Sequence, residues 1–419
     1  MTVSTKRRTI LQGGAAVGTA ALGFPAILRA QNQPIRIGIT NALSGPNALY
    51  GEANVIGQRI AAAQVNKAGG INGRQVELVI RDDRAQTEQG VAMARELAGM
   101  GVKFLMGGGS SAVGLAYCGL VQELKMIYVS NAVSALAVTH EAFNRNVLRL
   151  NPNAYTLFMS LGRAVAERFP NVMKWGAITP DYSFGHDAAR AFGNAVRQYH
   201  PKRNAPGFEV KKPVVVGATQ TDFRAQVNGF MNSDVEGLFI GLPGAPEISF
   251  FQQARSVGLT GKLKVMTEIS GDVVAFQAMG KDLPDNVWSH VFWPYEVEPY
   301  KSQKMSQQLF ADYVAMTGKK APTGHVMRGY HALQGLLEGI RKAKSTETAA
   351  VIAAMEDLSW NSVIGPYRVR KQDHAGIGTL FLGTYTTTAA DPFVRLKEMR
   401  TVSEESIIET PSPGSEYVW

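Results

Sequence analysis

Ser44-Gly45-Pro46-Asn47-Ala48-Leu49-Tyr50-Gly51, followed by Ala68-Gly69-Gly70-Ile71-Asn72-Gly73-Arg74, decides the fold. With its flanks it reads as a strand, an open loop, a helix, a tight turn and a second strand. Ile35-Arg36-Ile37-Gly38-Ile39 enters it as a short apolar run suited to a buried parallel strand. The loop that follows is rich in small residues and offers one exposed aromatic, Tyr50. Open parallel sheets take ligands at such loops, outside the carboxyl ends of their strands. The first loop of the chain therefore points to a ligand.

The same alternation continues outward. Strands are expected at 35–40, 75–81, 102–106 and 126–130, with helices at 53–66, 86–98 and 112–124 between them. A second series follows, with strands at 174–179, 209–216, 237–241 and 263–267 and helices at 185–199, 222–231 and 246–257. Two similar α/β lobes in tandem are the economical reading. The turn-forming Leu150-Asn151-Pro152-Asn153 marks the junction, and the chain crosses back near Trp293-Pro294-Tyr295. Helical stretches at 303–316 and 327–343 and strand-like pieces at 366–370 and 379–385 complete the chain.

The first residues read as an export leader. Lys6-Arg7-Arg8 precedes a mildly apolar run at 10–28, and the small Ala30 ends it. The paired Arg7-Arg8 fits the twin-arginine type, with cleavage after Ala30. A membrane anchor of that length is the competing reading, but the run's glycines, Gln12 and Pro25 make it a poor span. Without the leader's four basic residues the chain carries 39 basic against 34 acidic residues. That excess is modest and scattered, and no basic cluster with interleaved aromatics points to nucleic acid. Cys118 is the single cysteine, so no intrachain disulfide forms, and its place in an expected helix suits a buried small hydrophobe.

Three loops of the first series leave the carboxyl ends of strands and should line one crevice: 44–51, Gly107-Gly108-Gly109-Ser110-Ser111 and Asn131-Ala132-Val133-Ser134. Ser111 opens a helix, where free N–H groups and the dipole favour an anion. A hydroxyl with backbone amides holds a carboxylate without a buried cation. Ser110, Ser111 and Ser134 taken singly are also ordinary cap and turn residues. A phosphate loop needs Lys-Ser/Thr after its glycines, but Ser111 is followed by Ala112-Val113-Gly114. No H-E-x-x-H, C-x-x-C or G-x-S-x-G motif occurs, and His186 and His325 read as surface or packing residues. The opposing wall would come from 180–185, 242–245 and 268–272, with Phe184 against an apolar ligand body and Glu268 or Asp272 at a ligand cation.

These residues resemble the periplasmic binding proteins of branched-chain amino acid ABC transporters, over essentially the whole mature chain. The motifs that carry the likeness are Leu43-Ser44-Gly45-Pro46 with Tyr50-Gly51, and Ala68 to Arg74 continuing to Arg81-Asp82-Asp83. Phe184-Gly185, Gln253-Ala254-Arg255 and Ile364-Gly365-Pro366 add to it. The resemblance implies two Rossmann-like lobes with parallel sheets joined by a hinge, closing on a small ligand, with no catalysis and no cofactor. It divides the chain into a leader at 1–30, a first lobe at 34–151 plus 294–362 and a second at 152–293 plus 363–419. The implied ligand set is Tyr50, Ser110, Ser111, Ala132, Ser134, Phe184, Glu268 and Asp272. Within it, the carboxylate meets Ser111, the Ala132 backbone and Ser134, and Tyr50 closes over the ligand. The implied partners are an amino acid or other small carboxylate and the membrane permease of an ABC importer, with the binding protein a monomer. Departures are Phe184 where Tyr is usual, Pro243 at the second-lobe aromatic, Ala85 and Ser110 where the family has its disulfide, and no clean match for the acid that holds the ligand ammonium. An aromatic acid, an amide or urea is the alternative ligand, and a receptor subunit or a secreted α/β enzyme the alternative class.

Overall fold

The computed structural model describes residues 33–269, 276–277, 279–280, 283–387 and 394–419. The expected leader and Asp272 lie outside these residues. In the first lobe, β1 (Ile35–Asn41), β2 (Val76–Asp82), β3 (Phe104–Gly107), β4 (Ile127–Ser130) and β5 (Val147–Arg149) form a parallel sheet in the order β2-β1-β3-β4-β5. Ile35, Ile37 and Ile39 are buried, and on the opposite face Gly38 leaves room for Leu97. A strand covered on both faces has this near-continuous apolar run. Helices α1 (Ala48–Lys67), α2 (Thr87–Gly99) and α3 (Ser111–Leu120) connect the strands. Helix α1 starts five residues before the expected helix. Asn47 serves as its N-cap residue after a turn in which Ala48 N–H meets Gly45 O at 3.1 Å, so Tyr50 sits in the first helical turn instead of an open loop.

The chain then enters the second lobe through α4 (Ala154–Arg168), a helix the sequence reading missed. Asn153 caps it by accepting from Thr156 N–H at 2.8 Å. The second sheet contains β6 (Lys174–Pro180), β7 (Glu209–Val210), β8 (Val214–Val216), β9 (Gly237–Ile240), β10 (Val265–Glu268) and β11 (Val287–His290), all parallel. The expected strand at 209–216 is two short strands, both paired with β6. Helices α5 (Ser183–Tyr199), α6 (Arg224–Met231) and α7 (Ala245–Ser256) lie between these strands in the chain.

After β11 the chain recrosses to α8 (Lys304–Thr317) and α9 (Gly324–Ala343), then forms α10 (Thr348–Met355). A three-stranded antiparallel sheet follows, β12 (Ser359–Ser362), β13 (Gly365–Val369) and β14 (Gly376–Ile377). The last strands, β15 (Thr379–Thr387) and β16 (Val394–Ser403), extend the second sheet antiparallel beyond β11.

Helix α9 returns to the first lobe and packs closely on α1. A Cβ added at Gly57 would lie 1.9 Å from Val326 O, and one at Gly329 would lie 2.1 Å from Asn54 O. Only glycines permit this approach. Gly57→Ala is therefore expected to cost about 1–3 kcal/mol in urea unfolding, because the clash is with backbone and not with a side chain that can swing away.

The last residues clasp the junction of the lobes. Glu409, fully buried, meets the Arg149 guanidinium at 3.6 Å and His140 Nε2 at 3.4 Å, and accepts from Asn153 Nδ2. Arg370 donates to Glu409 O at 3.0 Å and pairs with Asp373 through two bonds of 2.9 and 2.7 Å. Glu404 accepts from Gly378 N–H at 3.1 Å and Thr156 Oγ1 at 3.2 Å. Burial pushes its carboxyl up to about 7 from an ordinary 4.5. Across that window the folded chain holds a proton that the unfolded chain has released, so Glu404's contribution to stability falls as pH rises. Urea unfolding across the same window should show a shallower decline for Glu404→Gln. An unchanged slope would contradict the assignment.

Candidate ligand-binding site between the lobes

A cavity of about 130 Å³ lies where the carboxyl ends of the two sheets face each other. Its first-lobe wall comes from the ends of β1, β3 and β4, at Asn41–Ala42, Gly108–Ser111 and Ala132–Ser134. Tyr182 and Phe184 after β6, Pro243 after β9 and Ile269 after β10 form the opposite wall. Six of the eight candidate residues are thereby brought together: Tyr50, Ser110, Ser111, Ala132, Ser134 and Phe184.

Two adjacent acids, Asp83 buried and Asp82 partly exposed, shape the first-lobe loops. Asp83 accepts from Gly109 N–H at 2.8 Å and Ala85 N–H at 2.9 Å, and burial raises its pKa. Asp82 accepts from Leu43 N–H at 2.9 Å and Ser44 Oγ at 2.7 Å. Asn47 Nδ2 then joins the first loop to Gly109 O at 3.1 Å. The Asp82-Asp83 pair, noticed in the sequence only as part of a motif, is what holds the 44–51 and 107–111 loops side by side.

The serines divide by role. Ser110 is the N-cap of α3: its Oγ accepts from Val113 N–H at 3.3 Å and lies 3.4 Å from Ala85 O. Ser134 Oγ reaches Pro152 O at 3.2 Å and Ala132 O at 3.3 Å, and accepts from Asn151 Nδ2 at 3.3 Å. Both hydroxyls are committed to holding backbone. Ser111, the first residue of α3, lines the cavity, and its hydroxyl makes no hydrogen bond among the described residues. It stands beside first-turn N–H groups that have no partner within the helix. This end of the cavity can receive an anion through a hydroxyl and a helix terminus.

Helix α9 supplies two residues that sequence reasoning missed. His325, read as surface or packing, lines the cavity. Its ring lies 4.6 Å from that of Tyr50 and meets Phe292 edge-on at 5.6 Å. Arg328, one turn on, also lines it, donates to Ala132 O at 3.3 Å and sits 4.6 Å above the Phe292 ring. The available signal was the His-x-x-Arg spacing at a helix start, which puts both side chains on one face. That face turns to the ligand side only because Gly57 and Gly329 bring α9 onto α1.

Glu268 is a correction. It ends β10, an interior strand between β9 and β11, is fully buried, and does not line the cavity; its neighbour Ile269 does. A strand buried on both faces turns alternate residues into packed layers; the Glu268 side chain is in such a layer, and the next residue, Ile269, reaches the crevice. Cys118 lies buried in α3, which pushes its thiol up to about 12 and leaves it unreactive. Among the described residues, no group of three or more His, Cys, Asp or Glu is placed to hold a metal.

The architecture and the sequence match known proteins. The family model described as "Periplasmic binding protein" matches residues 34–390. A leucine-, isoleucine-, valine-, threonine- and alanine-binding protein of Pseudomonas aeruginosa is 24% identical over 349 residues, covering 83% of this chain and 88% of that one. Among solved structures, the leucine-, isoleucine-, valine-, threonine- and alanine-binding protein from Brucella ovis in its closed conformation superposes with a TM-score of 0.78 at 19% identity, over 90% of this chain and 97% of the other. An ABC-transporter solute-binding protein from Rhodopseudomonas palustris BisB5, in complex with 3,4-dihydroxybenzoic acid, superposes with a TM-score of 0.75 at 18% identity, over 89% and 98%. The chain belongs to the periplasmic binding protein family, as a two-lobed solute-binding protein of the branched-chain amino acid ABC-transporter type.

Proposed function

We propose that this protein captures a small carboxylate in the periplasm and delivers it to the membrane permease of an ABC importer. The lobes that close on it are 34–151 with 294–362, and 152–293 with 363–419. Arg7-Arg8 and the apolar run after it suit export by the twin-arginine route. The observation that carries the reading is the ligand-facing Ser111 hydroxyl at the amino end of α3, opposite a wall of aromatic rings. Hydrogen bonds to a charged group are worth about 1.5–3 kcal/mol each, and a helix terminus adds up to ~2 kcal/mol in a partly buried setting. The carboxylate is thus the end of the ligand that the site grips.

The remainder of the cavity favours a flat body over an α-amino group. Tyr50, Tyr182, Phe184, Phe292 and His325 supply ring faces and edges, Arg328 supplies a cation, and no acid lines the cavity among the described residues. A cavity of ~150 Å³ admits benzene, so a space of about 130 Å³ suits a single ring or a short branched chain. An aromatic monocarboxylate is the favoured ligand. A branched-chain amino acid is the second reading, favoured by what the Pseudomonas relative is named for binding.

Thermal-shift titration of the mature protein distinguishes them. Stabilisation by 4-hydroxybenzoate and not by L-leucine is expected; stabilisation by leucine alone would favour the amino acid, and by neither would contradict both. The serines give a sharper check by calorimetric titration and urea unfolding. Ser111→Ala should lower affinity roughly tenfold or more with stability nearly unchanged. Ser110→Ala should cost about 1 kcal/mol of stability as a lost cap, with the smaller effect on affinity. The reverse order would contradict the assignment of roles.

A further inference from the structure

The cavity is bridged at its rim by a hydrogen bond between the lobes. Gly244, in the loop between β9 and α7, donates its N–H to Tyr50 Oη of α1 at 2.8 Å. Its backbone stands at φ 75° and ψ −137°, a conformation open to glycine and strained for other residues. A Cβ built there would lie 2.9 Å from Pro46 O, 3.5 Å from Tyr50 Cε2 and 3.7 Å from Asn47 Oδ1. All three atoms belong to the first lobe. The second lobe thus meets the first backbone to side chain, with no room for a side chain of its own. Gly244 itself does not line the cavity, although Pro243 does.

Tyr50 is a prepared acceptor. Its ring is braced by His325 at 4.6 Å, and its carbonyl accepts from Asn54 Nδ2 at 2.8 Å, so the hydroxyl is held at the rim before the lobes meet. We propose that Gly244 is the closure-positioning residue of this binding protein: its N–H and its missing side chain together form the latch that holds the second lobe on Tyr50. The proposal rests on the capture reading above and adds what keeps a captured ligand in. The two partners hang from different sheets, so the bond exists only when the lobes are together. An interaction confined to one of two conformations shifts their populations by its full strength. It therefore slows ligand release and leaves entry into the open form unchanged.

Gly258 provides a control for a positive-φ glycine of the second lobe that touches nothing in the first. It too has a positive φ, 81°, beside a helix of the second lobe, but a Cβ there meets nothing within 4 Å. Gly258→Ala carries a left-handed strain, milder than that at Gly244, without the contact to the first lobe, and Tyr50→Phe removes the hydrogen bond with no backbone strain. Stopped-flow binding of 4-hydroxybenzoate and of L-leucine, with small-angle scattering of the ligand-free proteins, tests the latch. Tyr50→Phe is expected to raise the dissociation rate roughly three- to tenfold, the worth of one neutral hydrogen bond. Gly244→Ala should raise it more than about tenfold, with the association rate unchanged or higher as the open fraction of the ligand-free protein grows. Both variants should scatter as larger particles than the wild type, and Gly258→Ala as the wild type does.

Dissociation and scattering unchanged in Gly244→Ala would overturn the proposal. So would equal effects in Gly244→Ala and Gly258→Ala, which would leave only strain. If neither probe binds the wild type, the ligand classes proposed above fail, and scattering alone decides the latch. An enlarged Gly244→Ala beside an unchanged Gly258→Ala would then support it, and identical curves would overturn it.

Discussion

The site depends on a helix contact whose closest approaches are glycine against backbone. Where α1 crosses α9, Gly57 faces Val326 O and Gly329 faces Asn54 O, at distances a methyl group would close completely. Through that contact, residues near the start of the fold, Tyr50 and Asn54, stand beside residues nearly three hundred positions later, His325 and Arg328. Interiors packed to crystal density do not absorb such an intrusion locally. A wider spacing of these helices would separate the rings of Tyr50 and His325. It would also draw Arg328 from the carbonyl of Ala132, and move the hydroxyl that Gly244 meets across the cleft.

Binding and closure are then assigned to different chemistry. In the proposed reading the anion end uses fixed groups of the first lobe, the Ser111 hydroxyl and the amino end of α3, with the loops around them held by Asp82, Asp83 and the cap hydroxyl of Ser110. The proposed latch uses a backbone N–H from the second lobe. The junction uses charge, with Arg149, Glu409, His140 and the Arg370–Asp373 pair buried together under the last residues of the chain. A buried network of this kind contributes little net stability over an apolar core. Breaking it is costly, because each remaining charge loses its partner in a dry setting, and this fixes one arrangement of the crossing segments.

Much of this was legible in the sequence. The alternation of apolar runs with amphipathic stretches gave the parallel sheets, since a strand covered on both faces has to be apolar throughout. The small-residue loops after β1, β3 and β4 converge as expected, because strands of one parallel sheet end on one side. What stayed hidden is what depends on contacts distant in the chain. Glu268 looked like a ligand partner by its place after a strand, but the strand runs one residue further and buries it. His325 looked like packing because nothing local reveals which helix α9 meets. Ser110 and Ser134 look the same as Ser111 in sequence, and only their hydrogen bonds show that two of the three hydroxyls are occupied. Helix α4 was missed beside a turn signal that also serves as its cap, Asn153.

In the proposed function the ligand's carboxylate sits at the amino end of α3, against Ser111. A crystal structure of the protein with a bound aromatic carboxylate tests it most directly. One carboxylate oxygen is expected within hydrogen-bonding distance of Ser111 Oγ and the other at a first-turn N–H of α3, with the ring between Tyr50 and Phe184. A carboxylate found at the second-lobe wall, with Ser111 facing the ligand's apolar end, would contradict it.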